Sequence, residues 1–215
     1  DKITMLTEPA NDVNKLWHSF KSKTRNHIRK AEKTGLQPIS GQTELLKDFY
    51  EVWTVRMRQL GTPCYPRRFF QHIIQTFPNN TRIFLVRSNG HTVGGAFVYA
   101  FKDFVQIRWA ATFVEYNRFC PNYLLFWSVM KYYASNKAPC FDFGRTTVDS
   151  PHHKFKQQWN PTPVQLHYQY WVSSGQKLDL PTPDNPKYKR KVEAWKKLPL
   201  WTTRMAGPLI SRNIP

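Results

Sequence analysis

Three consecutive apolar segments in the middle of the chain constrain its fold more than any other feature of the sequence. The segments are Arg82–Arg87, His91–Phe101 and Phe104–Phe113, and all three are rich in Val, Phe, Ile and Tyr. Ser88-Asn89-Gly90 separates the first two and Lys102-Asp103 separates the last two, and both connectors are of hairpin type. The pattern predicts a three-stranded antiparallel meander.

Helical and extended segments flank the meander on both sides. Before it, hydrophobic periodicity predicts helices over residues 13–34, Leu45–Leu60 and Arg67–Phe77, with a short strand at Leu36–Ser40. After it we expect a loop, a helix, a strand, a short helix and a last strand, at Val114–Pro121, Asn122–Asn136, Cys140–Phe143, His152–Trp159 and Pro163–Val172. Asn122 is the predicted N-cap of its helix. This order predicts an α+β fold with a central mixed sheet flanked by helices.

The chain is strongly basic, with a formal net charge of +18 over 215 residues. Such a charge attracts anionic partners, which include nucleic acid, anionic lipid headgroups and phosphorylated substrates. The three cysteines lie far apart without a CxxC pair, so we expect neither a metal site nor a disulfide framework. The sequence shows no secretory signal and no apolar run of membrane-spanning length, and we expect a cytoplasmic protein.

A basic stripe lies on the first predicted helix, over residues 13–34. Lys21, Arg25, Arg29 and Lys33 recur at steps of four residues and therefore share one helix face. One interpretation is a face that is simply solvated. The other is a face turned toward phosphates or a membrane.

The tail, residues 176–215, is rich in Pro, Lys and Arg and is predicted to contain one helix near Lys187–Lys197. It places Trp195 and Trp201 among basic residues, a combination that suits a membrane interface or a nucleic acid. Docking of the tail onto its own domain is the alternative.

Local motifs in the second half of the chain are more specific than the order of elements. They run from Tyr116 to Tyr170 and include Pro121-Asn122-Tyr123-Leu124-Leu125, Phe141-Asp142-Phe143-Gly144-Arg145-Thr146, Phe155-Lys156-Gln157-Gln158-Trp159 and the closing Pro163, Leu166, Tyr168 and Tyr170. Together they resemble the C-terminal half of FemAB-like acyltransferases of the GNAT superfamily. The resemblance is closest to the subgroup associated with exosortase and exopolysaccharide gene clusters, and it extends over nearly the whole chain.

The resemblance implies a GNAT acyltransferase fold and an architecture of two tandem GNAT-like domains. This chain would be the second of them, and a missing N-terminal GNAT-like domain would be its partner. We therefore expect a basic amphipathic connecting helix (1–35), a GNAT-like domain of the FemAB C-terminal type (36–175) and a basic, Pro-rich C-terminal extension (176–215).

The same resemblance implies a catalytic role for Lys156. In Fem-type transferases the lysine of the Phe-Lys motif lies near the reacting carbonyl or the acceptor phosphates, where an ammonium would stabilise the developing oxyanion. Phe155 belongs to the same motif and is the expected companion of Lys156 at the substrate. Because Phe155 and Trp159 are four residues apart, we expect both to pack inward and to direct Lys156 sideways.

Arg145 is the second cationic candidate. It follows a predicted strand and a glycine, which is where α/β folds tend to keep ligands. Its guanidinium could clamp a phosphate or a carboxylate through two parallel hydrogen bonds. The alternative is an ion pair with Asp142 or Asp149.

The loop Glu115–Pro121 departs from that of GNAT enzymes that use acyl-CoA. It contains no glycine, and Pro121 removes one of the N–H donors that would hold a pyrophosphate. In this it resembles Fem-type proteins, whose donor is aminoacyl-tRNA. Arg118, Asn122 and Tyr123 are the candidate contacts to a donor or acceptor phosphate.

An attacking amine must lose a proton, so a base is required. Glu115 is the first candidate because GNAT enzymes often place a base near the end of the third meander strand. Asp142, His152 and His153 are the others, and histidine has a suitable intrinsic pKa. Deprotonation through water or by the substrate would need none of them.

The leading hypothesis is a bacterial N-acyltransferase or aminoacyltransferase without a bound cofactor. Its donor is aminoacyl-tRNA or acyl-CoA, and its acceptor is an amine on an amino sugar or peptide of a cell-envelope glycan or peptidoglycan precursor, in free or lipid-linked form. The protein would then work at the periphery of the inner membrane. The alternatives are a non-catalytic basic module that binds tRNA or an anionic membrane, and a stand-alone acetyltransferase that uses acyl-CoA.

Overall fold

The computed structural model describes residues 2–7, 12–136, 140–173 and 186–212. Within these ranges the chain forms an eight-stranded sheet flanked by helices. The elements in chain order are β1 (Lys2–Thr7), α1 (Val13–Ser19), α2 (Ser22–Lys33), β2 (Gln37–Gly41), α3 (Leu46–Leu60), α4 (Arg67–Thr76), β3 (Thr81–Ser88), β4 (His91–Phe101), β5 (Phe104–Thr112), α5 (Pro121–Ser135), β6 (Cys140–Asp142), β7 (Thr146–Thr147), α6 (Pro151–Lys156), β8 (Thr162–Gln165), α7 (Pro186–Lys197) and α8 (Leu200–Ser211). Short 3-10 turns lie at Thr43–Leu45, Val114–Phe119 and Gln157–Trp159.

The strand order is β2-β3-β4-β5-β6-β1-β7, and β8 also pairs with β1. The predicted meander is confirmed, because β3 pairs with β4 and β4 pairs with β5 in antiparallel register. β5 and β6 are parallel, which requires a crossover, and α5 provides it. The predicted α+β class with a mixed sheet is therefore confirmed.

The sheet is covered on both faces, and β3 shows why. Ile83 and Leu85 face a cluster that α3 and α4 complete, whereas Phe84 and Val86 face a second cluster with α1, α2 and α5. Alternate residues of a strand point to opposite faces, so an apolar run without alternation indicates burial on both sides.

The predicted helix over residues 13–34 is wrong in one respect, because the chain breaks at Phe20 and forms α1 and α2. Phe20 is extended and buried, and its ring packs against Trp127 and Trp159 at centroid distances of 5.8 and 5.2 Å. Arg25 donates to the main-chain oxygens of His18 and Phe20 at the end of α1.

The predicted basic stripe is also divided by these contacts. Arg25 forms hydrogen bonds at the end of α1, and the Arg29 guanidinium lies 5.4 Å from the ring centroid of Trp17. Lys21 and Lys33 are exposed. Arg25 and Arg29 therefore make contacts within the fold, although Arg29 is exposed to solvent as Lys21 and Lys33 are.

Strand β1 was not predicted, although its side chains alternate. Ile3 and Met5 are buried while Lys2 and Thr4 are only partly covered. The signal is short, and the partners β6, β7 and β8 lie more than 130 residues further along the chain. Sequence proximity therefore gave no indication of it.

The predicted last strand, Pro163–Val172, is too long. Pairing covers only β8, and the last bond runs from the Leu166 N–H to the oxygen of Lys2. The described residues after Gln165 belong to no strand. Trp171 is accordingly 89% exposed.

The tail docks onto α3 as two helices. The predicted helix near Lys187–Lys197 is confirmed as α7, whereas α8 was not predicted because it contains Gly207 and Pro208. Gly207 lies against Cys64, where a Cβ would come within 2.9 Å of its nitrogen. Arg204 donates to the hydroxyl of Thr54 at 3.0 Å.

In the described ranges, no helix combines the length and the hydrophobicity needed to cross a membrane.

The predicted domain boundary after residue 175 lies outside the described residues. The boundary after residue 35 stays a prediction. Ile28 of α2 and Phe84 of β3 nevertheless belong to one apolar cluster, so the amphipathic helix packs into the same core as the sheet.

Trp159 is the side chain that joins the N-terminal helices to the second half of the chain, and it is fully buried. We expect Trp159→Ala to lower the free energy of unfolding by about 3–5 kcal/mol, because it leaves a large cavity. Urea unfolding followed by circular dichroism measures this, with Trp171→Ala as the exposed control. A change below about 1 kcal/mol would contradict the packing described here.

Candidate active site

The sheet opens between β5 and β6. The two strands pair only from Phe104 and Cys140 to Gln106 and Asp142. Beyond this point β5 continues to Thr112, whereas the amide of the next residue after β6 donates to β1. The end of β6 therefore faces a gap in the sheet, which is where open α/β sheets bind ligands.

The loop that precedes α5 uses its own amides. The N–H groups of Tyr116 and Cys120 donate to the oxygens of Phe113 and Asn117 within the 3-10 turn, and Pro121 has no N–H. Two amides of the loop are therefore engaged, and a third position has no N–H to offer a pyrophosphate.

The prediction that Asn122 caps α5 is wrong. The cap position is Cys120, which has a φ of 60° and forms no side-chain capping bond. Pro121 takes the first helical position because its fixed φ suits it and its missing N–H costs nothing there.

A tight turn follows β6 and is held by the carboxylate of Asp142. This carboxylate accepts hydrogen bonds from Thr4 Oγ1 at 2.5 Å, Gln106 Nε2 at 2.6 Å and the amide of Gly144 at 2.7 Å. Gly144 has a φ of +70°, a backbone conformation that residues other than glycine rarely adopt. The turn directs the main-chain oxygens of Gly144 and Arg145 toward α6.

Helix α6 is anchored by aromatic packing. Its N-cap is Ser150, whose hydroxyl accepts the amide of His153. Phe155 lies against Tyr123 and Phe126 of α5, with ring centroids 5.3 and 5.1 Å apart, and against buried Trp159. The prediction that Phe155 and Trp159 pack inward is confirmed.

Lys156 therefore leaves the helix sideways and reaches the turn. Its Nζ donates to the oxygen of Gly144 at 2.8 Å and to that of Arg145 at 3.1 Å. Burial lowers the pKa of Lys156 to about 8, and the negative charge of Asp142 only partly opposes this effect. An ammonium has three N–H donors, so one remains for a ligand.

A cavity of about 370 Å³ lies beside this ammonium. Its described lining residues carry three cations, one imidazole and three hydroxyl groups, and none is acidic: Lys2, Arg145, Thr146, Thr147, Ser150, His152 and Lys156. Lys2 donates to the hydroxyl of Thr147 across the β1–β7 pairing. The composition suits a phosphate or a carboxylate.

Arg145 is exposed at this cavity, and no described residue forms an ion pair with its guanidinium. Neither Asp142 nor Asp149 forms an ion pair with Arg145, so the structure does not show the alternative. Asp142 instead accepts hydrogen bonds from three neutral donors.

The structure separates the other predicted site residues from this cavity. Glu115 and Arg118 are exposed in the 3-10 turn before α5, and the Arg118 guanidinium lies 4.6 Å from the ring of Phe119. Asn122 is partly exposed in the first turn of α5. The Tyr123 hydroxyl donates a hydrogen bond to the Gln158 side chain at 2.7 Å, in the turn that follows α6. The roles predicted for these residues stay predictions.

Sequence reasoning missed four lining residues: Lys2, Thr146, Thr147 and Ser150. Lys2 depends on β1, whose alternation of Ile3 and Met5 was the available signal. Thr146 ends the motif that begins at Phe141, and Thr147 and Ser150 follow it; only the pairing of β7 with β1 shows that these hydroxyl residues line a site. The described residues contain no group of His, Cys, Asp and Glu arranged to hold a metal ion.

A family model for the acetyltransferase (GNAT) domain matches residues 18–157. The chain belongs to the GNAT acetyltransferase family. This match covers the meander, α5 and the residues through Lys156, so an acyltransferase fold is shown. No curated protein sequence matches the chain.

Several solved structures share this GNAT fold. FemX superposes with a TM-score of 0.67 at 18% identity, covering 75% of this chain and 59% of FemX. The C-terminal domain of a putative lysylphosphatidylglycerol synthetase from Agrobacterium fabrum gives 0.57 at 13% identity, covering 75% and 57%. AAC(6')-Iy, bound to the bisubstrate analogue CoA-S-monomethyl-acetylneamine, gives 0.50 at 12%, covering 64% and 97%. At these identities the likeness shows the fold alone.

The partly buried ammonium of this GNAT domain predicts a spectroscopic signature. In a sample that carries lysine labelled with ¹³C at Cε, we expect a resonance that titrates with a midpoint near 8, because burial disfavours the charged form of Lys156. The resonance should be absent from Lys156→Met. If every lysine titrates in the ordinary range near 10.4, the described environment of Lys156 is wrong.

Proposed function

We propose that this GNAT domain transfers an acyl or aminoacyl group to an amine at the cavity beside Lys156. The observation that carries the proposal is the ammonium of Lys156, fixed by two main-chain oxygens and left with a free donor. A fixed donor in a partly desolvated site stabilises an oxyanion more strongly than water does.

The chemistry follows from the lining of the cavity. The attacking amine converts the donor carbonyl into a tetrahedral intermediate, and Lys156 donates to its oxyanion. Arg145 and Lys2 balance the charge of phosphates on the donor or the acceptor, while the hydroxyls of Thr147 and Ser150 complete the polar wall. Phe155 and Tyr123 hold α6 in place rather than contact the cavity.

We propose aminoacyl-tRNA as the donor, in line with the resemblance to Fem-type proteins. The support is the loop before α5, in which the amides of Tyr116 and Cys120 are engaged and Pro121 has no N–H. The competing donor is acyl-CoA, because AAC(6')-Iy, which was solved with a CoA bisubstrate analogue, is covered over 97% of its length.

The acceptor and the architecture are further proposals. We propose an amino sugar or peptide of a cell-envelope glycan or peptidoglycan precursor, and we retain the association with exopolysaccharide gene clusters as a prediction. The chain spans 59% of the length of FemX. This supports a partner GNAT-like domain that would complete the acceptor site.

Lys156→Met tests the transfer reaction directly. We expect kcat to fall about 10²–10³-fold with donor binding nearly unchanged, because an oxyanion donor acts in the transition state. Single-turnover transfer from charged tRNA, and separately from acyl-CoA, to an amino-sugar acceptor measures it. Lys154→Met is the matched control, since Lys154 is an exposed lysine on the same helix. Equal rates for the two variants would contradict the proposal.

A second function, attachment to an anionic membrane, is favoured by helix α8. This helix turns its small residues inward at Thr203, Gly207 and Ser211, and its large apolar residues outward. The outward residues Trp201, Met205 and Leu209 are 66%, 69% and 62% exposed and form the α8 ridge.

The positive charge of the neighbouring helix supports an anionic surface as the partner of the α8 ridge. The neighbouring helix α7 contributes Lys189, Arg190, Lys191, Lys196 and Lys197 against the single acid Glu193. An apolar ridge with tryptophan, next to a basic helix, is typical of elements that lie in the interface of an anionic bilayer. We therefore propose that the protein works at the membrane periphery.

Vesicle binding tests the α8 ridge. We expect binding to phosphatidylglycerol vesicles but not to phosphatidylcholine vesicles, and at least about a tenfold loss when all three ridge residues become serine, because their apolar area stays in water. Phe77→Ser, at an exposed phenylalanine outside α8, is the control. If the triple variant binds vesicles normally but changes self-association, the ridge covers another protein surface.

A further inference from the structure

His152 is the one described residue of the cavity lining that can accept a proton near neutral pH. The other lining groups are ammonium, guanidinium and hydroxyl groups. His152 lies in the first turn of α6, four residues before Lys156, so both side chains are on one side of the helix.

The other candidate bases are occupied or elsewhere. Asp142 accepts three hydrogen bonds at the end of β6. His153 is buried, and its Nδ1 accepts the amide of Asp149 at 3.0 Å. Glu115 is exposed on the turn before α5 and does not line the cavity.

His152 is exposed where it lines the cavity, and partial loss of solvent, followed by nearby positive charge, favours the neutral form of its ring. Lys156 faces it from its own helix, Arg56 from α3, and the cavity adds Arg145 and Lys2. Loss of solvent, together with the charges of Lys156 and Arg56, lowers the pKa of His152 below its usual 6.5. At pH 7 the imidazole is therefore a base, while the same cations disfavour an acceptor that enters as an ammonium.

We propose that His152 is the general base that deprotonates the acceptor amine during acyl transfer. This inference rests on the proposed function. The neutral amine forms the new C–N bond while His152 takes a proton from its nitrogen, and the electron pair of the carbonyl moves to the oxygen held by Lys156. The carbonyl then re-forms as the C–O or C–S bond to the leaving group breaks. The leaving group takes the proton from the imidazolium, so no further reactant is needed.

This division of roles fixes the pH dependence of the reaction. Activity requires neutral His152 and charged Lys156, so kcat should rise with pH below 6.5 and fall through about 8. His152→Gln should remove the rising limb, and Lys156→Arg should move the falling limb to higher pH. The ionisation of the acceptor is common to all variants and cancels in the comparison.

Chemical rescue distinguishes a base from a structural residue. We expect His152→Ala to lower kcat about 10²-fold or more, and added imidazole to restore part of the loss in proportion to its neutral fraction. His72→Ala, at an exposed histidine on α4, should keep wild-type rates. His152→Gln, which keeps the size and polarity of the side chain, serves if the alanine variant does not fold.

Two results would overturn the inference. The first is a folded His152 variant that keeps kcat within about threefold and an unchanged rising limb, or one that loses activity without rescue by imidazole. The second is a folded wild-type protein that transfers from neither donor class. This second result would overturn the proposed function itself, whereas the first leaves it standing.

Discussion

The hydrogen bonds accepted by Asp142 are the interaction on which the candidate site depends. One carboxylate ties together Thr4 of β1, Gln106 of β5 and the amide of Gly144 at the point where β5 and β6 separate. Because these bonds hold the turn, two main-chain oxygens become fixed acceptors for Lys156. The position of the ammonium therefore depends on the turn that Asp142 holds. A residue without a carboxylate at 142 would leave that turn without these hydrogen bonds.

The electrostatics of the cavity follow from the same geometry. Its cations come from three separate parts of the chain, with Lys2 on β1, Arg145 after β6 and Lys156 on α6. Main-chain oxygens accept the hydrogen bonds of Lys156, a hydroxyl accepts that of Lys2, and Arg145 is exposed to solvent, so their mutual repulsion is reduced. Anionic ligands would reduce it further. Partial desolvation then acts on Lys156 and His152 in the same direction, lowering both pKa values. One group stays charged at neutral pH and the other stays neutral, which is the separation that acid–base chemistry requires.

The sequence predicts the local parts of this arrangement and fails on the distant ones. The apolar runs of the meander and the i, i+4 spacing of Phe155 and Trp159 depend on neighbours in the chain, and both predictions are confirmed. β1 was missed because its partners lie at the other end of the sequence, and with it Lys2 was missed. The helix break at Phe20 depends on burial against Trp127 and Trp159, which periodicity does not reveal. The extent of the last strand likewise depends on its pairing with β1, which lies at the other end of the sequence.

The central claim is that the reacting carbonyl lies beside Lys156 and not at the N-terminus of α5, where Glu115 and Arg118 lie. A structure of the protein with a stable phosphonate analogue of the tetrahedral intermediate tests this most directly. We expect an oxygen of the analogue within about 3 Å of Lys156 Nζ, with its phosphate groups on Arg145 and Lys2. An analogue bound at the turn before α5, with the Lys156 cavity empty, would contradict it.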